Sequence, residues 1–597
     1  MSNSFLHPAV GFLILALVTP LIPRDLWRQK AVRAVIVLIP PLLALFAVMT
    51  VKPGTYGQLQ YLGQLLVLGR VDRLALIFGQ VFSIIALIGM IYSLHLDEKT
   101  HFVTGALYVA GGLGCVFAGD LITVFIFWEL MSISSVFLVW GAGTRASVMA
   151  GFRYFMYHTV GGLFLLAGLF LKYKATGSFA FDWAPPDTAR YYDWLILAGF
   201  CVNAAVVPLH AWLPDAYPRA SVAGAVFMCA FTTKTAVYVL CRGFHGWNVL
   251  AVAGAIMAVY GVLYACIENN ARRILSYHIV SQVGYMVAGI GIGTAMTMNG
   301  AAAHAYAHIL YKGLLFMSTG CLLYAVGTAR LDELGGLATR LPWVMFWYMV
   351  AALSISGMPL FNGFVTKNMT IFGAEEAHRM WLAIAMEVAA VGTFVSVGIK
   401  LPYFAFWGRK PEYTLPVRAI PRNMYVAMGL CGSLCILQGI FPEMLYRYLP
   451  FAVEEPFRPW TLLRVLNSSL LLGFSGLAFY MTRIVITPHT KVNLDFDYFY
   501  RWIGRLVLAA VCRPLAWLDD RWTEVYRSIG LRGLVKIGAG ASLFDRKGID
   551  TVVDGSAYTV RNIGRAGARM QSAQLQDYLA LAAIFGLCIF FLVWYLG

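Results

Sequence analysis

Charge is scarce in this chain. Only 12% of its 597 residues are Asp, Glu, Lys or Arg, where a soluble domain carries roughly 25%. With 60% hydrophobic residues and a mean hydropathy of +0.72, that shortage excludes a water-soluble enzyme and leaves a polytopic membrane protein. Acidic side chains are scarcest, 29 against 45 basic ones, for a formal net charge of +16. The basic residues lie in short loops rather than on one face, which argues against a nucleic-acid partner and fits the Lys and Arg excess of cytoplasmic loops. Cysteine offers no framework: the ten are scattered, and only Cys431 and Cys435 are close. No spacing matches a zinc, iron–sulfur or haem site. No G-x-G-x-x-G lies between a strand and a helix, and no phosphate loop appears. No metal, nucleotide or redox cofactor is therefore expected, and any chemistry rests on side chains and water.

Long apolar runs are plentiful instead. Some fourteen to sixteen recur, among them 9–23, 121–143, 193–213, 221–241, 299–328, 343–361, 463–486 and 578–596. Each is long enough to cross a hydrocarbon core of roughly 30 Å, and helices are expected because they satisfy their own backbone in lipid. Arg24, Arg28, Lys30 and Arg33 follow the first run, which sets the N-terminus outside and that loop inside. That run has no basic leader and no A-x-A site, so it is expected to be retained. After "TPHTKVNLDFDYFY" (487–500) the pattern changes. "WIGRLVLAAVCRPLAWLDDRWTEVYRSIGLRGLVKI" (502–537) sets arginines among Leu, Val and Trp at loosely helical spacing. An amphipathic helix along the membrane fits it; a small soluble hairpin is the alternative.

A weak internal symmetry is visible. "NAAVVPLHAWLP" (203–214) and "SISGMPLFNGFVTK" (354–367) each place Pro-Leu inside an apolar run. Proline removes a backbone donor and breaks a helix, and paired broken helices point to a transporter's site.

Ionisable groups inside the apolar runs are the main functional signal. Glu129 lies near the centre of "LITVFIFWELMSISSVFLVW", and Lys234 near the centre of "AVFMCAFTTKTAVYVLC". His304, His308 and Lys312 follow at steps of four in "AAAHAYAHILYKGLLFMSTG". Such steps drift about 40° each, giving one polar stripe roughly 12 Å long. Lys367 follows the second break, and Glu387 and Lys400 lie in the next run. A charge at the bilayer centre costs at least ~2.5–3.5 kcal/mol, so these groups must pair, face interior water or turn neutral. Bland readings stand beside this one: Lys312 snorkels, Glu387 and Lys400 flank short spans, and a lone His304 or His308 serves helix packing. Glu129 and Lys234 reach no interface easily. Carboxylates, amines and imidazoles tuned by burial and by one another make a switchable proton path. Ion exchange or proton pumping is the natural reading.

"GFCVNAAVVPLHAWLPDAYPRAS", "TTKTAVYVLCRGF", "NNARRILSYHIVSQVGYM" and "HAYAHILYKGLLFMSTG" resemble the large antiporter-like subunits shared by complex I and Mrp-type cation/proton antiporters. The resemblance covers most of residues 70 to 410. It implies an all-α bundle of about fourteen helices with two inverted five-helix repeats, broken helices and a water-lined polar axis at mid-membrane. The implied organisation is N-terminal transmembrane helices (1–100), two antiporter half-repeats (101–245 and 246–410), peripheral transmembrane helices (411–490), an amphipathic lateral segment (491–575) and a C-terminal anchor (576–597). Residue by residue, the resemblance makes Glu129 the charge-coupling glutamate and Lys234 a central lysine. It puts His304, His308 and Lys312 on the axis and Lys367 on the exit side. Lys400 and Glu387 are possible accessories, as is Asn203. Where the family usually has a lysine ahead of "VVPLHAWLPD", this chain has Asn203. An amide hydrogen-bonds and holds water but carries no proton at pH 7. Either Lys234 becomes the partner of Glu129, or the first half of the path is modified, or this copy no longer pumps.

The expected role is a proton-translocating subunit of a multi-subunit, Mrp-like Na⁺/H⁺ antiporter in a prokaryotic cytoplasmic membrane, with further antiporter-like subunits as partners. A redox-driven complex or an energiser of another solute, such as inorganic carbon, are the alternatives. Asn203→Lys is predicted to insert and assemble as the parent does, measured as membrane yield. Loss of insertion would mean that the motif is misaligned.

Overall fold

A computed structural model of the chain describes residues 5–61, 63–408, 416–453, 457–483, 487–489, 493–570 and 574–596. The expected boundaries at 410/411 and 490/491 lie outside these residues, as does the end of the run 463–486. Two compact units result, 1–497 and 498–597.

The first unit opens with α1 (Val10–Val18), α2 (Arg24–Arg28) and α3 (Lys30–Thr50). An antiparallel hairpin, β1 (Gly54–Tyr61) and β2 (Gln64–Val71), pairs Gly54 with Val71. It leads into α4 (Arg73–Ser93), whose N-cap Asp72 accepts from the Ala75 amide at 2.9 Å. The same carboxylate takes two bonds of 2.8 Å from Arg242, joining the start of α4 to the end of a later helix.

Two similar stretches follow. The first holds α5 (Lys99–Phe117), α6 (Leu121–Trp140), α7 (Arg145–Thr176), α8 (Tyr191–Asn203), α9 (Trp212–Ala216), α10 (Val222–Met228) and α11 (Thr232–Gly243). The second holds α12 (Asn248–Ile267), α13 (Ala271–Ile292), α14 (Ala295–Val326), α15 (Pro342–Ser356), α16 (Asn362–Glu376) and α17 (Met380–Thr393). Their local signals repeat at a constant offset of 150 residues. Asp120 caps α6 and Asn270 caps α13, from 120 to 270; Thr144 caps α7 and Thr294 caps α14, from 144 to 294. Both long helices run 32 residues and end on a left-handed glycine, Gly177 and Gly327. Isolated bridges Asp120–Ala180 and Asn270–Arg330 keep the same spacing. Short polar side chains satisfy orphan amides at the N-termini, and glycine adopts the left-handed cap without a Cβ penalty.

Twelve helices among the described residues are long and apolar enough to span a membrane, with Val10–Leu21 and Pro342–Ser356 as shorter apolar ones. Broken runs account for the difference from the longer runs read in the sequence. The stretch 193–213 is helical only to Asn203, and 343–361 stops at Ser356 before α16 resumes. α17 continues in wider π-type turns through Phe394–Lys400.

After α18 (Arg422–Ile440), α19 (Glu443–Tyr446) and α20 (Leu462–Thr482) the first unit ends in a strap. Asn269 donates to the His489 carbonyl at 2.7 Å, and Tyr264 donates to the Leu494 carbonyl at 2.9 Å. Asp495 is the buried anchor, accepting from Tyr277 Oη at 2.6 Å and from Tyr260 Oη. His210 Nε2 lies 3.3 Å from the same carboxylate, off the line of a hydrogen bond. Burial would raise this carboxyl, but His210 and the two tyrosines outweigh it and hold it well below the usual carboxylate range.

The second unit is a near-continuous helical run from α21 (Asp497–Val507) through α22 (Arg513–Val525), α23 (Arg532–Phe544) and α24 (Thr551–Met570), with π-type turns between them. At 1.5 Å per residue it is about 110 Å long. A final apolar helix, α25 (Leu575–Leu596), has the length and composition of a span. The sequence expectation of a long amphipathic helix, rather than a hairpin, is the one realised.

Close approach of α12 and α13 depends on small residues. A methyl group on Gly284 would stand 2.5 Å from the Ala258 amide nitrogen and 2.6 Å from the Gly254 carbonyl oxygen. One on Gly261 would stand 2.5 Å from the Ser281 nitrogen. Such stripes drive association in lipid, where apolar burial between helices contributes little. Gly284→Ala is predicted to cost about 1–3 kcal/mol, read as a lower melting temperature in detergent. Gly533→Ala, with nothing within 4 Å of the new carbon, serves as the unchanged control.

Candidate functional site

The first half of the site is built on α6, α7, α8 and α11. Glu129 projects from α6 against α7 at Gly162, where a methyl group would overlap its carboxylate. Its Oε1 is buried and has no hydrogen-bond partner among the described residues. Lys234 is fully buried in α11. The expectation that it pairs with Glu129 is not realised: among the described residues no ion pair joins them. Instead Lys234 Nζ donates to the Cys229 carbonyl at 2.7 Å and to Thr233 Oγ1 at 3.1 Å. The reason is local. α10 ends at Met228 and α11 begins at Thr232, so the Cys229 carbonyl stands at a helix C-terminus and carries the partial negative charge of one.

Asn203, the last residue of α8, is also fully buried. Its Oδ1 accepts from His158 Nδ1 at 2.8 Å. His158 packs on Tyr154 and Trp212, with ring centroids 4.1 and 4.6 Å away. Tyr154 Oη is 2.9 Å from Ser135 Oγ and 3.5 Å from Thr232 Oγ1, and the latter is 2.6 Å from Tyr108 Oη. This hydroxyl cluster ends two residues from Lys234. His158, Tyr154, Thr232 and Tyr108 were missed by sequence reasoning. The 150-residue offset is the signal that finds them, because Tyr154, His158 and Gly162 of α7 fall where His304, His308 and Lys312 fall on α14.

The second half is carried by α14, buried along nearly its whole length. His304 Nδ1 lies 3.1 Å from Thr366 Oγ1 of α16, and its Nε2 lies 3.4 Å from Tyr311 Oη. Tyr311 donates to Gln282 Oε1 at 3.5 Å, and Gln282 donates to Thr393 Oγ1 at 3.4 Å. The His304 and His308 rings are 6.2 Å apart. Among the described residues neither nitrogen of His308 has a partner, nor has Lys312 Nζ. Lys234, Lys312 and Lys367 all stand within electrostatic reach of His308. The stripe read from the sequence is therefore assembled, and Lys234 joins it from the neighbouring helix.

Lys367 follows the break at 357–361. Its ammonium lies 5.2 Å from the Tyr285 ring centroid, without a hydrogen-bond partner among the described residues. It shares a small cavity with Glu387, Ser356 and Asn368. Lys400 is placed differently. It donates to the carbonyls of Cys266 and Glu268 at 2.7 and 2.8 Å and to Asn269 Oδ1 at 3.2 Å. A cation on the last carbonyls of α12 acts as a helix C-cap.

Residues 118–393 match the family model described as NADH:quinone oxidoreductase/Mrp antiporter, transmembrane. A membrane subunit of the NADH-quinone oxidoreductase of Desulforudis audaxviator is 30% identical over 390 residues, covering 58% of this chain and 75% of that protein. A Na⁺/H⁺ antiporter subunit of Alkalihalophilus pseudofirmus is 28% identical over 371 residues, covering 59% and 75%. In fold, a chain of a membrane-bound sulfane sulfur reductase, an archaeal respiratory membrane complex, matches with a TM-score of 0.68 at 21% identity, over 98% of this chain and 99% of that one. By its transmembrane region and by its identity to the Desulforudis oxidoreductase subunit, the chain belongs to the NADH:quinone oxidoreductase/Mrp antiporter family of membrane subunits.

Proposed function

We propose that this chain moves protons across the membrane as one subunit of a hetero-oligomeric cation/proton antiporter, with Na⁺ as the exchanged ion. The observation that carries the reading is the run of buried protonatable groups Lys234, Lys312, His308, His304 and Lys367. Three of them, His308, Lys312 and Lys367, have no partner among the described residues for any polar side-chain atom. Each unpartnered buried polar group costs about 1–3 kcal/mol, a cost that packing alone does not explain. A relay needs such atoms free to receive and release a proton.

Charge coupling follows from spacing. A proton on Lys234, held by the Cys229 carbonyl, repels protons on His308 and Lys312; its departure lets them load. His304, bonded to Thr366, passes charge toward α16, where Lys367 beside Glu387 forms the exit. Glu129 sets the charge of the first half. The relatives are named as subunits of larger assemblies, which supports further membrane subunits as partners. The chain is an integral, multi-pass membrane protein, and its bacterial relatives fit a prokaryotic cytoplasmic membrane.

A second reading, the proton-pumping arm of a redox-driven complex, is favoured by one observation. The sulfane sulfur reductase chain matches this one through its last hundred residues as well as its bundle.

Two measurements test the proposal. The complex, purified from native membranes in mild detergent, has its chains identified by mass spectrometry. Small membrane subunits and further antiporter-like copies support the antiporter; iron–sulfur or hydrogenase-like chains support the redox arm. In liposomes holding the whole complex, Lys234→Ala is predicted to abolish coupled proton flux at unchanged assembly. Parent-like flux would remove the residue from the path.

A further inference from the structure

We propose that His158 is the titratable partner of Glu129, taking the place of the lysine that the first half lacks at Asn203. The inference rests on the reading that the chain moves protons, and it names a proton-carrying residue outside the stripe already described.

The geometry is specific. Residues 158 and 162 are one turn apart on α7, so they share a face about 6 Å apart. Glu129 packs on that face at Gly162. His158 is fully buried. Because Asn203 Oδ1 can only accept, the 2.8 Å bond puts the hydrogen of His158 on Nδ1. Nε2 then carries the lone pair, and it has no partner among the described residues. Glu129 Oε1 and Asn203 Nδ2 are likewise buried and unpartnered there. An open lone pair on Nε2, one turn along α7 from the place where Glu129 packs, is what a proton transfer from the carboxyl needs. The other titratable group against the ring is Tyr154, on the same helix, itself tied to Ser135 and Thr232. No lysine or arginine is bonded to either Glu129 or His158 among the described residues.

The internal repeat makes the same assignment. His158 occupies on α7 the position that His308 occupies on α14, and Gly162 occupies that of Lys312. In the second half an ammonium sits beside the histidine. In the first, the glycine clears room for a carboxylate to sit there instead. The step is a proton transfer with nothing left over: the Glu129 carboxyl gives its proton to His158 Nε2, leaving a carboxylate and an imidazolium. Net charge is unchanged, and the return transfer restores the neutral pair. Asn203 is the positioning residue, since it fixes the tautomer that leaves Nε2 open.

The test uses the assembled complex in liposomes with an internal pH dye. His158→Asn keeps an amide N–H where Nδ1 stood and so preserves the bond to Asn203, while Nε2 is lost. It is expected to lower proton flux roughly tenfold or more, the scale of losing a positioned acid–base group. Adding Asn203→Lys to His158→Asn is expected to restore most of it, because Glu129 regains a titratable partner. Flux at the parent level in His158→Asn, with Glu129→Gln and Lys234→Ala both inactive, would overturn the inference and leave the proposed function standing. Parent-level flux in all three would sink the proposed function itself. His158→Gln serves as the second substitution. Failure of both histidine variants to assemble would make the ring a packing element and overturn the assignment as well.

Discussion

Lys234 holds its ammonium group on a backbone carbonyl in the middle of an apolar run, and an unbroken helix has no carbonyl to spare. The chain meets that constraint at Lys234 by stopping α10 at Met228 and restarting at Thr232, so that the Cys229 carbonyl is left for the lysine. Much else follows from this one bond. The interruption exposes the Thr232 amide, which Tyr108 Oη accepts at 3.0 Å, and so draws α5 into the site. Among the described residues no ion pair joins Lys234 to Glu129, and the glutamate packs on α7 at Gly162. Lys400 shows the same physics put to another use, since its ammonium closes the carbonyl end of α12.

The two halves are variations on one frame. Their caps, closing glycines and bridges repeat at the same spacing, yet the polar residues hung on the long helices differ. α14 carries two imidazoles and an amine, while α7 carries a phenol, an imidazole and a glycine at the same places. The difference suits their neighbours: α6 brings a carboxylate to Gly162, and α16 brings Thr366 and Lys367 to α14. A backbone frame that stays fixed while its side chains vary lets the two halves carry unlike polar groups at matching positions.

Charge inside apolar runs made Glu129, Lys234, His304, His308, Lys312 and Lys367 legible from sequence, because few bland explanations survive the cost of burial. The breaks at 204–211 and 357–361 were legible through Pro208 and Pro359. The interruption at 229–231 was not, since Cys-Ala-Phe contains neither proline nor glycine, and with it the true partner of Lys234 was hidden. His158 escaped notice because a single histidine in an apolar helix is usually a packing residue, and only its bond to Asn203 across 45 positions sets it apart. Lys400 was read as a possible accessory to the path or as a residue flanking a short span, because sequence alone does not show which carbonyls it meets. Asp495 lay in a polar stretch where nothing marked it for burial.

The constant spacing between α7 and α14 bears on how such a chain tolerates change over evolutionary time. A point substitution alters one side chain and leaves the frame intact, and Lys312 and Gly162 stand at matching places on the two helices. Insertions and deletions act differently. One extra residue ahead of Lys312 turns it by about 100° around the helix axis, taking it and every later side chain off the stripe together. The spacing along these two helices, more than any single side chain, therefore keeps each set of polar residues in register.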